Sequence, residues 1–242
     1  MINKPKLSNR LLKVSTYISE GAYFADIGSD HAYLPCYVCL KDPTAKAIAG
    51  EVKEGPFNSA KTSVSNYELH DRVEVRLGNG LKILKDKEVD HVVIAGMGGS
   101  LIKTILEEGK TKLSAVQRII AQPNVDARNI RRWFLENDYT LTNEAILEEN
   151  GHIYEVLVAD KEEPNTLYSE DALDKELLFG PLLLQNKSAV FLEKWKLEHE
   201  KRTKVITHMK NANLPEQEKI NSFEKELNWI EEVLKDEHEG PE

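Results

Sequence analysis

Asp26, Gly28, Asp30 and His31 stand within a single stretch, A-Y-F-A-D-I-G-S-D-H-A-Y-L-P at residues 22–35, and their types suit the binding of a cationic ligand. Tyr23, Phe24 and Ala25 lead into Asp26 as a short buried strand, Gly28 supplies a sharp turn, and an apolar, helix-like segment follows from Ala32 to Leu40. This order sets the backbone N–H groups of a helix start just beyond the carboxyl end of a strand, where open α/β sheets bind nucleotide-like ligands. Two carboxylates beside such a turn repel a pyrophosphate, so a dinucleotide fits poorly, whereas a ligand with an ammonium group and ribose hydroxyls fits well. S-adenosylmethionine is such a ligand. The pattern D-x-G-x-D keeps only the first glycine of a glycine-rich loop, and read alone it also describes an ordinary βα turn.

The elements that must position these residues follow in order. A basic amphipathic helix is predicted over Leu7–Ser19 from the spacing of Leu7, Leu11, Val14 and Ile18. A second strand, A-K-A-I-A-G-E-V, ends on Glu51, an acidic side chain placed to accept both hydroxyls of a ribose, or else a surface glutamate. A third, R-V-E-V-R-L, runs into Gly78-Asn79-Gly80, where small residues let the backbone approach a flat ring and an amide can meet an adenine edge. The fourth, Val89–Ala95, delivers Gly96, Met97, Gly98 and Gly99 to the same rim, as the wall of a site or as a mobile loop. R-I-I-A-Q-P-N is the fifth, and two further strands meet at Asn150-Gly151, a hairpin signal. The expected fold class is therefore α/β, a mostly parallel sheet covered on both faces and closed by an antiparallel hairpin.

Composition sets the bounds. The chain has 242 residues, 40% of them hydrophobic, enough for a full α/β core with an appendage, and no segment approaches a membrane span. Cys36 and Cys39 lie inside a helix without further soft ligands, so they read as core thiols; no metal site is expected, and a cytoplasmic location is. The net charge of −9 is unevenly spread: residues 216–242 carry a net −7, while positive charge gathers at Lys4, Lys6, Arg10 and Lys13, at Arg128, Arg131 and Arg132, and along Lys194–Lys210. Each basic cluster is either a polyanion contact or a solvated helix face.

Beyond Asp160 the composition shifts, dividing the chain into an expected sheet domain, 1–160, and a helical domain, 161–242. Leu192, Trp195, His199, Arg202, Ile206 and Met209 alternate in spacings of three and four, as do Ile220, Phe223, Leu227, Ile230 and Leu234. Two such stripes separated by N-A-N-L-P bury against each other as an antiparallel, coiled-coil-like hairpin, basic on one helix and acidic on the other.

Taken together, D-I-G-S-D-H-A-Y-L-P, A-G-E-V, L-G-N-G-L, V-V-I-A-G-M-G-G and A-Q-P-N, followed by the helical hairpin, resemble the bacterial tRNA adenine N1-methyltransferases acting on position 22, the TrmK family. The resemblance spans essentially the whole chain. It implies a class I methyltransferase domain, Rossmann-like, that uses S-adenosylmethionine as cofactor and tRNA as partner. Asp26 and Gly28 would hold the methionine end, Glu51 the ribose, and Asn79 with Gly80 the adenine, with Asp30 and Val52 as further cofactor-binding residues. Gly96, Met97 and Gly98 would line the reaction centre, Met97 as a catalytic candidate. The residues themselves add Asp30 and His31 as catalytic candidates to stabilise the charge of a methylated ring, and Lys4, Lys6, Arg10, Arg128, Arg131 and Arg132 as the basic residues expected to face RNA. A monomer is expected.

The Asn-Pro-Pro-aromatic signature of amino-group methyltransferases is missing from this chain. That fits the chemistry of adenine N1, a ring nitrogen with an in-plane lone pair and no proton to lose. Its methylation needs alignment and exclusion of water rather than a general base. A methyltransferase of another substrate and a non-catalytic cofactor-binding module are the two alternatives that the residues alone leave open.

Overall fold

A computed structural model describes residues 5–161, 167–212 and 216–235. The chain divides into two compact units, 1–167 and 168–242.

The first unit is built on a seven-stranded sheet in the order β3-β2-β1-β4-β5-β7-β6, comprising β1 (Tyr23–Ile27), β2 (Lys46–Glu51), β3 (Val73–Leu77), β4 (His91–Gly98), β5 (Arg118–Val125), β6 (Thr140–Glu149) and β7 (His152–Asp160). The first five run parallel and the last two close the sheet as an antiparallel hairpin through Asn150 and Gly151. Phe24, Ala25, Ile48, Val92, Val93, Ile94, Ile119 and Ile120 are fully buried, because strands covered on both faces have no solvated side. The covering helices are α1 (Asn9–Ser15), α2 (Tyr33–Lys41), α3 (Glu54–Asn66), α4 (Gly99–Glu108) and α5 (Ala127–Glu136).

Register fixes which strand ends share a rim. Ile27 pairs with Gly50 on one side and Ile94 on the other, Glu51 pairs with Leu77, and Ala95 pairs with Gln122. The carboxyl ends of β1, β2, β3, β4 and β5 therefore lie along one edge, and the chain reverses its direction of winding between β1 and β4, the place where such sheets open a crevice for ligands. The fourth strand runs past its expected end at Ala95 into Gly98, with a bulge between Ala95 and Met97. Gly99 then begins α4 where a Cβ would stand 1.9 Å from the carbonyl oxygen of Asp126, so only glycine fits there.

Cys36 and Cys39 are buried in α2 as free thiols, their pKa values pushed up to about 12 by burial, which leaves them protonated and inert. Arg131 departs from its expected place on a basic RNA-facing surface. It is fully buried, with its Nε 2.6 Å from Glu144 and an Nη 2.7 Å from Glu155, tying α5 to the hairpin strands. Two carboxylates under the helix outcompete solvent for the guanidinium, so Arg131 is a structural residue.

The second unit contains α6 (Leu173–Phe179), α7 (Pro181–Gln185), α8 (Ala189–Lys210) and α9 (Gln217–Lys235). Phe179, Phe191 and Trp195 form an aromatic core, with centroids 4.3 Å apart between Phe179 and Trp195. The longer helices, α8 and α9, pack together, with Leu192, Trp195 and Ile206 buried on the first and Ile220, Ile230 and Val233 on the second. Polar residues in the stripe find carboxylates on the facing helix: Arg202 lies 3.1 Å from Glu226 and His199 lies 3.3 Å from Glu231. Lys210 pairs with Glu224 at 2.5 Å, so the opposed charges of the two helices meet across the hairpin.

Candidate active site

Asp26 is 3% exposed at the end of β1. Ser29 Oγ donates to it at 2.6 Å across the turn, and the N–H groups of Gly28 and Ser29 donate to the carbonyl of Gly50 at 2.9 and 3.1 Å. Burial pushes the Asp26 carboxyl up to about 7, with the Ser29 hydrogen bond opposing and the neighbouring charge of Glu51 adding. A carboxylate held where its own charge is costly gains most from a bound cation.

Glu51 is 6% exposed at the end of β2, and its Oε1 accepts the N–H of Asp30 at 2.6 Å. Its pKa is likewise raised, mainly by burial. One backbone donor leaves a carboxylate with acceptor capacity for further hydroxyls. The segment this bond secures is strained: Asp30, His31 and Ala32 all have positive φ, at 43°, 65° and 56°, a conformation that costs non-glycine residues about 1 kcal/mol or more each. Glu51 and the Gly50 carbonyl hold the strained turn before α2 begins.

Gly28, with φ of 75°, faces Met97 across the rim; a Cβ there would lie 2.3 Å from Met97 Cε. The missing side chain lets the Met97 methyl pack directly on the turn, joining the first and fourth strand ends. Gly96, φ 79°, is held at both its polar groups: its N–H donates to Gln122 Oε1 at 3.0 Å, and Asn124 Nδ2 donates to its carbonyl at 2.8 Å. Further along the rim, Asn79 and Gly80 face Leu101, Thr104, Ile105 and Glu108 across a cleft with mixed apolar and polar walls.

The structure thus places Asp26, Gly28, Glu51, Gly96, Met97 and Gly98 on one rim, and Asn79 with Gly80 at the neighbouring β3 end. Val52 is 62% exposed just past Glu51, an apolar surface at the rim. The side chain of Asp30 is 84% exposed and turns to His31 at 3.5 Å, while the His31 ring stacks on Tyr33 with centroids 5.3 Å apart. Asp30 therefore meets Glu51 through its backbone rather than its carboxylate.

Among the RNA candidates, Lys6 is exposed, Arg128 and Arg132 are half-buried, and Lys4 lies outside the described residues. Arg10 departs from its expected outward-facing place: it turns inward, donating through Nη1 to Gln122 and lying 5.5 Å over the Tyr154 ring. A buried carbonyl and an aromatic face together compete successfully with water for the guanidinium. Sequence reading misses Ser29 and Gln122, although Q-P-N at the end of an apolar strand is a visible signal for the latter. Among the described residues no cluster of three or more His, Cys, Asp or Glu is arranged to hold a metal ion, and no helix is long and apolar enough to cross a membrane.

A sequence profile described as TrmK, tRNA (adenine(22)-N(1))-methyltransferase, matches residues 24–232. The chain is 44% identical over 235 residues to the tRNA (adenine(22)-N(1))-methyltransferase of Bacillus subtilis, covering 96% of this chain and 99% of that protein. The crystal structure of the B. subtilis M1A22 tRNA methyltransferase TrmK agrees with this fold at a TM-score of 0.89, over 95% of this chain and 99% of that one. Streptococcus pneumoniae Sp1610, solved in complex with S-adenosyl-L-methionine, is 38% identical with a TM-score of 0.83, over 95% of this chain and 100% of that one. M. capricolum TrmK, solved with S-adenosyl-homocysteine, is 29% identical with a TM-score of 0.82, over 95% and 98% of the two chains.

Proposed function

Since this chain belongs to the TrmK family of tRNA (adenine(22)-N(1))-methyltransferases, we propose that the rim formed by Asp26, Gly28, Glu51 and Gly96–Gly98 is where its methyl transfer takes place. The enzyme uses S-adenosylmethionine to methylate N1 of adenine 22 in tRNA. When bound, the cofactor supplies a methyl group activated on a cationic sulfur.

The residues present suit that group. Asp26 offers a buried carboxylate for the ammonium of the methionine end, beside the Gly28 turn on which Met97 packs. Glu51 accepts the ribose hydroxyls while keeping the Asp30 N–H. Asn79 and Gly80 take the adenine edge in the cleft under Leu101 and Ile105. Exposed Val52 covers the other side of the nucleoside.

On the acceptor side, Gly96, Met97 and Gly98 form the wall that aligns adenine N1 and excludes water. No side chain has to take a proton from N1. Asp30 and His31 at the rim face the positive charge that the methylated ring acquires, and the His31–Tyr33 stack offers an aromatic surface beside it. N1 lies on the Watson–Crick edge, so the target base must be unpaired or flipped out to reach this wall. Lys6, Arg128 and Arg132 supply cationic contacts to the tRNA backbone. We place the enzyme in the cytoplasm, as a monomer.

The buried Asp26 beside the Gly28 turn carries this reading. Calorimetric titration with S-adenosylmethionine tests it: Asp26→Ala weakens binding by roughly 1.5–3 kcal/mol, the scale of hydrogen bonds to charged groups. Unchanged affinity in a folded variant removes Asp26 from the site.

A further inference from the structure

We infer that Arg10 and Gln122 are a positioning pair for methyl transfer, Gln122 clamping the Gly96–Met97 wall and Arg10 locking Gln122. The inference rests on the reading that this wall lines the reaction centre.

Gln122 is fully buried at the end of β5, and each atom of its amide is committed. Its Oε1 accepts two donors, the Gly96 N–H at 3.0 Å and Arg10 Nη1, while its Nε2 donates to the Pro123 carbonyl at 2.8 Å. The amide therefore has one allowed orientation, because a flipped group would set its NH2 against both donors and its oxygen against a carbonyl. With Asn124 donating to the Gly96 carbonyl at 2.8 Å, the peptide groups on either side of Gly96 are pinned by side chains of β5. That matters because Gly96 sits at φ 79° beside the bulge in β4, a backbone free to take other conformations once released. Met97 follows directly and packs on Gly28, so a shift at Gly96 moves the Met97 side chain at the rim.

Arg10 is itself held from a distant part of the sequence. The Glu149 carboxylate, at the end of β6, accepts the N–H groups of Asn9 and Arg10 at 2.6 and 3.3 Å, and the Tyr154 ring of β7 lies under the guanidinium at 5.5 Å. Helix α1 is thus anchored by the terminal hairpin, and its arginine closes the polar side of Gln122. Arg10 acts on the acceptor wall through Gln122, as a positioning residue, rather than as a phosphate ligand on an outer face.

A double-mutant cycle in the full-length enzyme tests this. Single-turnover methylation at saturating tRNA and cofactor is measured for Arg10→Ala, Gln122→Ala and the double variant, alongside tRNA and S-adenosylmethionine affinities and the hydrogen exchange of the Gly96 amide. The expected result is a roughly 10–100-fold loss of rate in each single variant, on the scale of a misplaced reacting group. The double variant is expected to be no slower than Gln122→Ala, with tRNA affinity within about threefold of wild type and Gly96 exchange accelerated in all three variants. Arg10→Lys, which keeps a donor, restores part of the rate and guards against a folding defect in the alanine variant. Multiplying rate losses, or an Arg10→Ala defect confined to tRNA affinity, would overturn the pair. Unchanged Gly96 exchange would overturn the clamp itself, whereas accelerated exchange at wild-type rate would leave the clamp standing and remove Gly96 from the reaction centre.

Discussion

The hydroxyl of Ser29 donates a 2.6 Å hydrogen bond to the carboxylate of Asp26, three residues earlier, and so supports a negative charge in a place where burial opposes it. The two effects do not balance. Burial dominates and holds the Asp26 carboxyl near 7, so the group is poised to change protonation when a cation arrives.

The consequence is a pH dependence with a definite sign. The folded pKa lies above the unfolded value of about 3.9, so the stability Asp26 contributes is fully present below that value and is lost as pH rises through about 7. Without cofactor, Asp26→Asn is therefore expected to be at least as stable as wild type at pH 8 in denaturant titration. Cofactor affinity runs the other way. A cationic ligand prefers the ionised carboxylate, so wild-type affinity rises between roughly pH 6 and 8 with release of a proton, measurable by calorimetry in buffers of different ionisation enthalpy. The Asn variant is expected to bind weakly and without that dependence.

The arginines of α5 divide by burial. Arg131→Ala strands two carboxylates, Glu144 and Glu155, under the helix, and is expected to cost about 3–5 kcal/mol in chemical unfolding. Replacing Arg128 and Arg132 instead leaves cofactor affinity in place and lowers the slope of log tRNA affinity against log salt by about one for each phosphate that is no longer neutralised. A tRNA affinity and salt slope equal to wild type in the Arg128 and Arg132 double variant would take α5 out of the RNA surface.

Every proposed cofactor residue lies in the unit spanning residues 1–167. A chain ending at Leu167 is expected to fold and to bind S-adenosylmethionine with near wild-type affinity, while tRNA methylation falls for want of the helical hairpin's support. Full activity would make the hairpin an appendage, and lost cofactor binding would show that the sheet unit needs it to fold.

Much of this architecture is legible in the sequence because its signals are local. Alternating or continuous apolar runs mark all seven strands, Asn150-Gly151 marks the hairpin, and Asp26, Gly28 and Glu51 announce themselves at strand ends. The misreadings concern side chains whose partners are distant in sequence. Arg131 resembles surface charge because Glu144 and Glu155 lie 13 and 24 residues away, and Arg10 because Gln122 lies 112 residues away. A strand end at Ala95 falls too early because glycines read as loop, whereas pairing with β5 carries the strand through a bulge to Gly98. Local pattern decides which segments form strands and helices, but the direction of a long cationic side chain is settled by tertiary competition for it.

The measurement that bears most directly on the central claim is methyl transfer itself. Purified protein is incubated with methyl-labelled S-adenosylmethionine and unmodified tRNA transcripts carrying either adenine or guanine at position 22, and the labelled nucleoside is identified and mapped. The account predicts 1-methyladenosine at position 22 of the adenine transcript, none on the guanine transcript, and a strongly reduced rate for Asp26→Ala at cofactor concentrations that saturate wild type. Label on another atom or position, or an Asp26→Ala enzyme as active as wild type at limiting cofactor, would contradict it.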